Sequence, residues 1–217
     1  MKTRVVVIII ATAALVMAAC AGQLPAGTLE YSTAFERSIP AGQTLPGTNI
    51  KYIGKTDQGA QMSIGGQSAL KRTFDSLSWR GEVAPGVKVD YNLRILTFDS
   101  QSLNAGGTAK VTISNAKPKA VSSTSLPKDA PTFRGVVSYD VPKGKTIPGT
   151  TITYEGKTSD GAKLSGIEGY PYRQEADSIV WVGQLADKVF IELDLRALLF
   201  TDKSIKVTGT VTLHIKP

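Results

Sequence analysis

The sequence predicts an all-β protein made of two tandem β-sandwich domains. Three observations carry that expectation. The chain repeats itself at an offset of 102 residues, its apolar residues alternate with polar ones in period two, and turn-forming Pro-Gly steps separate the alternating runs. Laid on itself, 38–113 falls on 140–215 without a gap, and 28 of the 76 aligned positions are identical, including both tryptophans, Trp79 and Trp181. Two copies of such length are too few and too large for a solenoid, which points to two separately folding domains.

The elements follow in the same order in each copy. Leu29 to Phe35 and Thr132 to Val137 read as first strands. Pro46-Gly47 and Pro148-Gly149 read as turns, because proline presets φ and glycine supplies a positive one. Alternating runs come next, at Thr48–Thr56 and Thr150–Thr158. The tryptophan strands are Ser76–Val83 and Ser178–Leu185. Val87 to Leu93 and Val189 to Leu195 alternate in period two, and closing strands fall at Thr108–Ser114 and Thr208–Ile215. In both copies the alternation then changes phase. Leu96 and Phe98 share the parity of Asp90 and Asn92, as Leu198 and Phe200 share that of Glu192 and Asp194, which predicts a bulge or a crossing between sheets. About seven strands per copy give each domain immunoglobulin-like size, and the chain resembles bacterial immunoglobulin-like envelope modules in architecture. No segment of helical period survives beside this pattern.

Composition narrows the class of protein. Hydrophobic residues make up 41% and charged residues 20%, which suits a packed globular chain and excludes wholesale disorder. The formal charge of +7 includes Lys2 and Arg4, and the remaining excess is thin and densest between the copies. No basic face interleaved with aromatics emerges, so nucleic acid is not an expected partner.

The start of the chain has a different character. Lys2 and Arg4 precede an uncharged apolar run from Val5 to Ala19, too short to span a bilayer and of signal-peptide length. Its end, Leu15-Val16-Met17-Ala18-Ala19-Cys20, resembles the bacterial lipobox. That resemblance implies cleavage before Cys20, the only cysteine, and a diacylglyceryl anchor on it. The expected organisation is then a signal peptide at 1–19, a tether at 20–26, a first sandwich at 27–114, a Ser-, Pro- and Lys-rich linker at 115–130 and a second sandwich at 131–217. The protein would sit outside the cytoplasm, held to the bacterial cell membrane or outer membrane by lipidated Cys20.

Chemistry-bearing residues are sparse. Gly54-Lys55-Thr56 and Gly156-Lys157-Thr158 lack the upstream glycine and following helix of a phosphate loop. Asp57, Asp75, Asp160 and Asp177 lack calcium-loop spacing, and no metal or cofactor is expected. His214 is the only histidine; its counterpart in the first copy is Thr112, so it reads as a sheet-surface residue and not as a catalytic base. Glu168 and Glu175 offer carboxylates but no spacing that singles them out. An enzyme is therefore not expected. Asp75 and Asp177, with Arg94 and Arg196, recur in both copies and read as structural: a turn-initiating Asp, and an Arg that covers an aromatic or pairs with that Asp.

Function is expected where the copies part. Tyr170, Tyr172 and Arg173 stand around Pro171, where the first copy has Ser68, Leu70 and Lys71. Two tyrosines stiffened by a proline offer contact area at small entropic cost. The sequence thus points to a lipid-anchored binding or adhesion module for an envelope glycan or protein, with a structural envelope spacer as the alternative.

Overall fold

The computed structural model describes residues 25–216; the expected signal peptide at 1–19 and Cys20 lie outside the described residues. The chain is all β. Seven strands form the first half: β1 (Leu29–Pro40), β2 (Ile50–Thr56), β3 (Gly59–Ile64), β4 (Gln67–Lys71), β5 (Ser76–Ala84), β6 (Val87–Phe98) and β7 (Ser102–Ile113). A short strand, β8 (Lys119–Ala120), follows. The second half then runs β9 (Thr132–Pro142), β10 (Thr153–Thr158), β11 (Gly161–Ser165), β12 (Tyr172–Arg173), β13 (Ser178–Ala186), β14 (Val189–Phe200) and β15 (Ser204–Ile215). Strand for strand, the halves correspond.

Each half layers a three-stranded sheet, β2-β3-β4 or β10-β11-β12, on four long antiparallel strands. Alternation explains which face is buried. Val87, Val89, Tyr91, Leu93 and Ile95 of β6 point inward, and so do Val189, Ile191, Leu193, Leu195 and Ala197 of β14. The predicted change of phase is a bulge: pairing slips between Ile95 and Thr97 and between Ala197 and Leu199. The extra residue returns Phe98 and Phe200 to the inner side, where both pack on the core. The Pro-Gly steps are tight turns. Thr48 N donates to Leu45 O at 3.0 Å and Thr150 N to Ile147 O at 3.1 Å, with Gly47 at φ 74° and Gly149 at φ 79°. The two Gly-Lys-Thr segments close β2 and β10, their threonine hydroxyls donating to Gly59 O and Gly161 O.

The halves are more intimate than two separately folding domains on a linker. The long strands form one nine-stranded sheet in the order β5-β6-β7-β1-β9-β15-β14-β13-β8. β1 and β9 meet antiparallel with Ala34 opposite Arg134. That register brings Thr33 against Gly135, its own counterpart at the 102-residue offset, so the halves are related by a local two-fold axis through this pair. Here glycine is required by space: a Cβ on Gly135 would stand 2.6 Å from Ser32 O. One apolar cluster runs through both halves. Phe133 of β9 stacks on Phe35 at 5.2 Å and lies 6.1 Å from Tyr91, both in the first half.

The segment 115–130 is no loose spacer either. Lys117 N donates to Leu185 O at 2.7 Å and Val121 N to Val182 O at 3.1 Å, with Ala120 opposite Gly183. The linker therefore straps the outer edge of β13. Among the described residues no helix is long and apolar enough to cross a membrane.

Candidate functional site

The halves diverge most between their third and fifth strands. In the first, Gly65 and Gly66, both at positive φ, make a two-residue turn, and β4 pairs with β3 over five residues from Ile64↔Gln67 to Ala60↔Lys71. In the second, only Ala162↔Arg173 and Lys163↔Tyr172 remain, in the same register. Pro171 has no N–H to give a ladder, although its carbonyl still accepts from Leu164 N at 2.8 Å. Residues 166–171 accordingly leave the sheet as a loop.

That loop carries the tyrosines picked out from the sequence. Tyr170 is 65% exposed, whereas Tyr172 is half-buried. Their rings lie 5.3 Å apart and tilted by 56°, so each limits the other's motion. Arg173 is largely occupied with its own main chain. Its Nε donates to Ser178 O at 2.8 Å, and Nη1 donates to Tyr170 O at 2.5 Å and Tyr172 O at 2.9 Å. The first of these bonds is inherited from the fold, because Lys71 Nζ reaches Ser76 O at 3.1 Å in the other half. The other two belong to the loop and hold both tyrosines in place. Arg173 is thus a positioning residue.

Beside the rings opens a shallow cavity of about 450 Å³, walled by Tyr170, Tyr172, Arg173, Asp160, Gln174 and Asp177. The Asp177 carboxylate accepts from Gln174 N at 2.7 Å, and the Gln174 amide donates to Asp160 O at 3.0 Å. The site therefore joins an exposed aromatic surface to carboxylate and amide groups. This can hold a polyhydroxylated or peptide ligand.

The remaining candidates make local contacts within the fold. Asp75 and Asp177 cap the turns before β5 and β13, accepting from Arg72 N at 2.8 Å and from Gln174 N. Arg94 donates to Phe74 O and Arg196 to Ser178 Oγ, and neither pairs with the repeated aspartate. His214 lies in β15, half-buried, with Nε2 2.7 Å from Glu192 Oε1. Among the described residues no three His, Cys, Asp or Glu side chains cluster as metal ligands. Trp181 is buried, at 6% exposure, while Trp79 is half-buried and donates from Nε1 to Asn49 Oδ1 at 2.8 Å. Position 151 holds Thr instead, and among the described residues the Trp181 N–H has no hydrogen-bond partner.

Comparison with known protein families, curated proteins and solved structures finds no match for this chain.

Proposed function

We propose that the protein is a lipid-anchored, extracytoplasmic binding module whose second half recognises an envelope glycan through Tyr170 and Tyr172. The observation that carries this is the braced tyrosine pair beside a polar cavity, at the place where the second half abandons the hairpin of the first. Sugars present apolar C–H faces ringed by hydroxyls. An exposed ring covers the former, while Asp160, Asp177 and Gln174 suit the latter. Arg173 holds the loop before the ligand arrives, which reduces the entropy lost on binding.

The lipobox-like leader supports the location, and an anchor on Cys20 would restrict the site to the surface of its membrane. A spacer role is the second reading. It is favoured by the continuous sheet and shared core, which make the two halves one stiff unit.

The test is titration of envelope polysaccharide fragments into the protein solubilised from its own membrane. Tyr170→Ala and Tyr172→Ala are each expected to weaken binding tenfold or more at unchanged fold. Saturable binding unaffected by either substitution would place the site elsewhere, and no binding at all would leave the spacer reading. Labelled fatty acid should appear on the wild-type protein and not on Cys20→Ser; label on the variant would refute the anchor.

A further inference from the structure

The two ends of the nine-stranded sheet are equivalent in sequence but not in state. At one end β13 is covered by β8, the strap from the chain's own linker. At the other end stands β5, and among the described residues no main-chain group pairs with its outer edge. Counterparts at the 102-residue offset make the comparison specific. The carbonyls of Val182 and Leu185, which accept from the strap, correspond to those of Arg80 and Val83. Gly183, opposite Ala120, corresponds to Gly81.

The geometry that receives the strap is present at both ends. Each glycine lies under the tryptophan two residues before it: a Cβ on Gly81 would collide with the Trp79 ring, and one on Gly183 with the Trp181 ring. Both edges also bulge at the same place, between Glu82 and Ala84 and between Gln184 and Ala186. Ala120, Val121 and Trp181 wall one cavity, and Trp181 is buried beside the strap. Trp79, with no strap, stays half-buried. An edge of nine residues with open main-chain groups is a template for strand addition.

We infer that the β5 edge is a docking site for an extended segment of a partner protein, bound by strand addition along Arg80–Val83. The linker strap states the chemistry of the occupant. It needs a small residue such as Ala opposite Gly81, a β-branched residue next beside Trp79, and an N–H at that residue to donate to Arg80 O. Ser78 and Arg80 replace Val180 and Val182 along this edge, so the occupant's flanking side chains are polar. This site is separate from the tyrosine loop and does not depend on it.

The linker supplies its own probe, a synthetic peptide of residues 117–126 added to the full-length protein. Amide exchange of Arg80 to Val83 should slow in a saturable way, with a shift in tryptophan emission. The same peptide N-methylated at Val121 loses the donor to Arg80 O and should bind about fivefold or more weakly, the scale of one hydrogen bond. The protein itself is unaltered in this comparison, so misfolding cannot produce the result. Several outcomes would overturn the inference: no saturable protection of Arg80–Val83, protection indifferent to N-methylation, or protection confined to β13. An edge already protected in the free monomer would show that the chain covers it itself. A dimer that the peptide dissociates would show the occupant to be a second copy, which likewise overturns it.

Discussion

Tyr31 and Phe133 are counterparts at the 102-residue offset, and each is buried against the opposite half. Phe133, from the second half, joins Phe35 and Tyr91 of the first. Tyr31, from the first, directs its hydroxyl to within 2.6 Å of where a Cβ on Gly149 would be, close to Ile191 and beside Tyr139. Burial pushes the Tyr31 hydroxyl well above its ordinary pKa, with Tyr139 adding to the effect, and it pushes Tyr139 up to about 12. The exchange follows from the two-fold axis at Thr33 and Gly135: what one strand does across the axis, the other must do in return.

This reciprocity predicts that the halves unfold together. Phe133→Ala should cost about 3–5 kcal/mol, the usual scale for deleting a buried ring, and the melt should remain a single transition. Two resolved transitions, with Phe133→Ala lowering only one, would show independent domains.

Gly135→Val tests the junction more locally. The new side chain would begin 2.6 Å from Ser32 O, a main-chain atom that cannot rotate away. β1 and β9 must then separate. Amide protection at Thr33, Ala34 and Arg134 should fall sharply, while β5–β6 pairing in the first half persists. Retention of that protection would mean that the strands slide past one another at little cost.

Much of this architecture was legible in the sequence because side-chain parity records it. The phase change around Leu96 and Leu198 marks a bulge or a crossing between sheets, and the slipped pairing makes it a bulge. Ser68, Leu70 and Lys71 against Tyr170, Tyr172 and Arg173 marked the loop. The junction was not legible, because Tyr31, Thr33 and Phe35 alternate as any half-buried strand does. Nothing in that alternation says that the covering layer belongs partly to another half. The strap was hidden for a different reason. Lys117 to Val121 has almost no apolar pattern, and its binding to β13 is through main-chain hydrogen bonds that every residue but proline can make. Residue type alone does not show what Arg173 does in the loop: a guanidinium suits a ligand, and here it donates to three carbonyls of its own chain.

Tyr170→Ala should leave stability within about 0.5 kcal/mol of wild type, as expected for an exposed side chain. Tyr172→Ala should cost more, since Tyr172 is half-buried under its neighbour. A differential thermal melt checks this ordering. Equal, large losses in both would make the pair a packing element and remove the basis for glycan recognition.

The last expectation concerns one corner built twice with different chemistry. Tyr52 donates to Asp99 O, and Tyr154 to Thr201 O, both at 2.5 Å and both over 47 residues of chain. Replacing either tyrosine by Phe should cost about 1 kcal/mol, the net worth of a hydrogen bond whose acceptor can still reach water. The loops that present those carbonyls differ. The Asp99 carboxylate accepts from Gln101 N and Ser102 N at 2.8 Å, whereas the Thr201 hydroxyl accepts from Lys203 N and Ser204 N at 3.2 Å. The Ser102 and Gln101 N–H groups hold the Asp99 carboxyl below its ordinary 3.8. A carboxyl with a lowered folded pKa lends stability that is present above its unfolded pKa and lost as pH falls through the folded one. Acid should therefore loosen the loop of the first half and spare that of the second. An NMR titration reads this directly: the amide signals of Gln101 and Ser102 should move with a midpoint below 3.8, and those of Lys203 and Ser204 should not follow. Asp99→Thr should abolish the titration while keeping the loop, since the second half already folds that way. A midpoint at or above the ordinary carboxylate value would mean that the two N–H groups do not stabilise the charge, and the corner would then owe its geometry to the tyrosine alone.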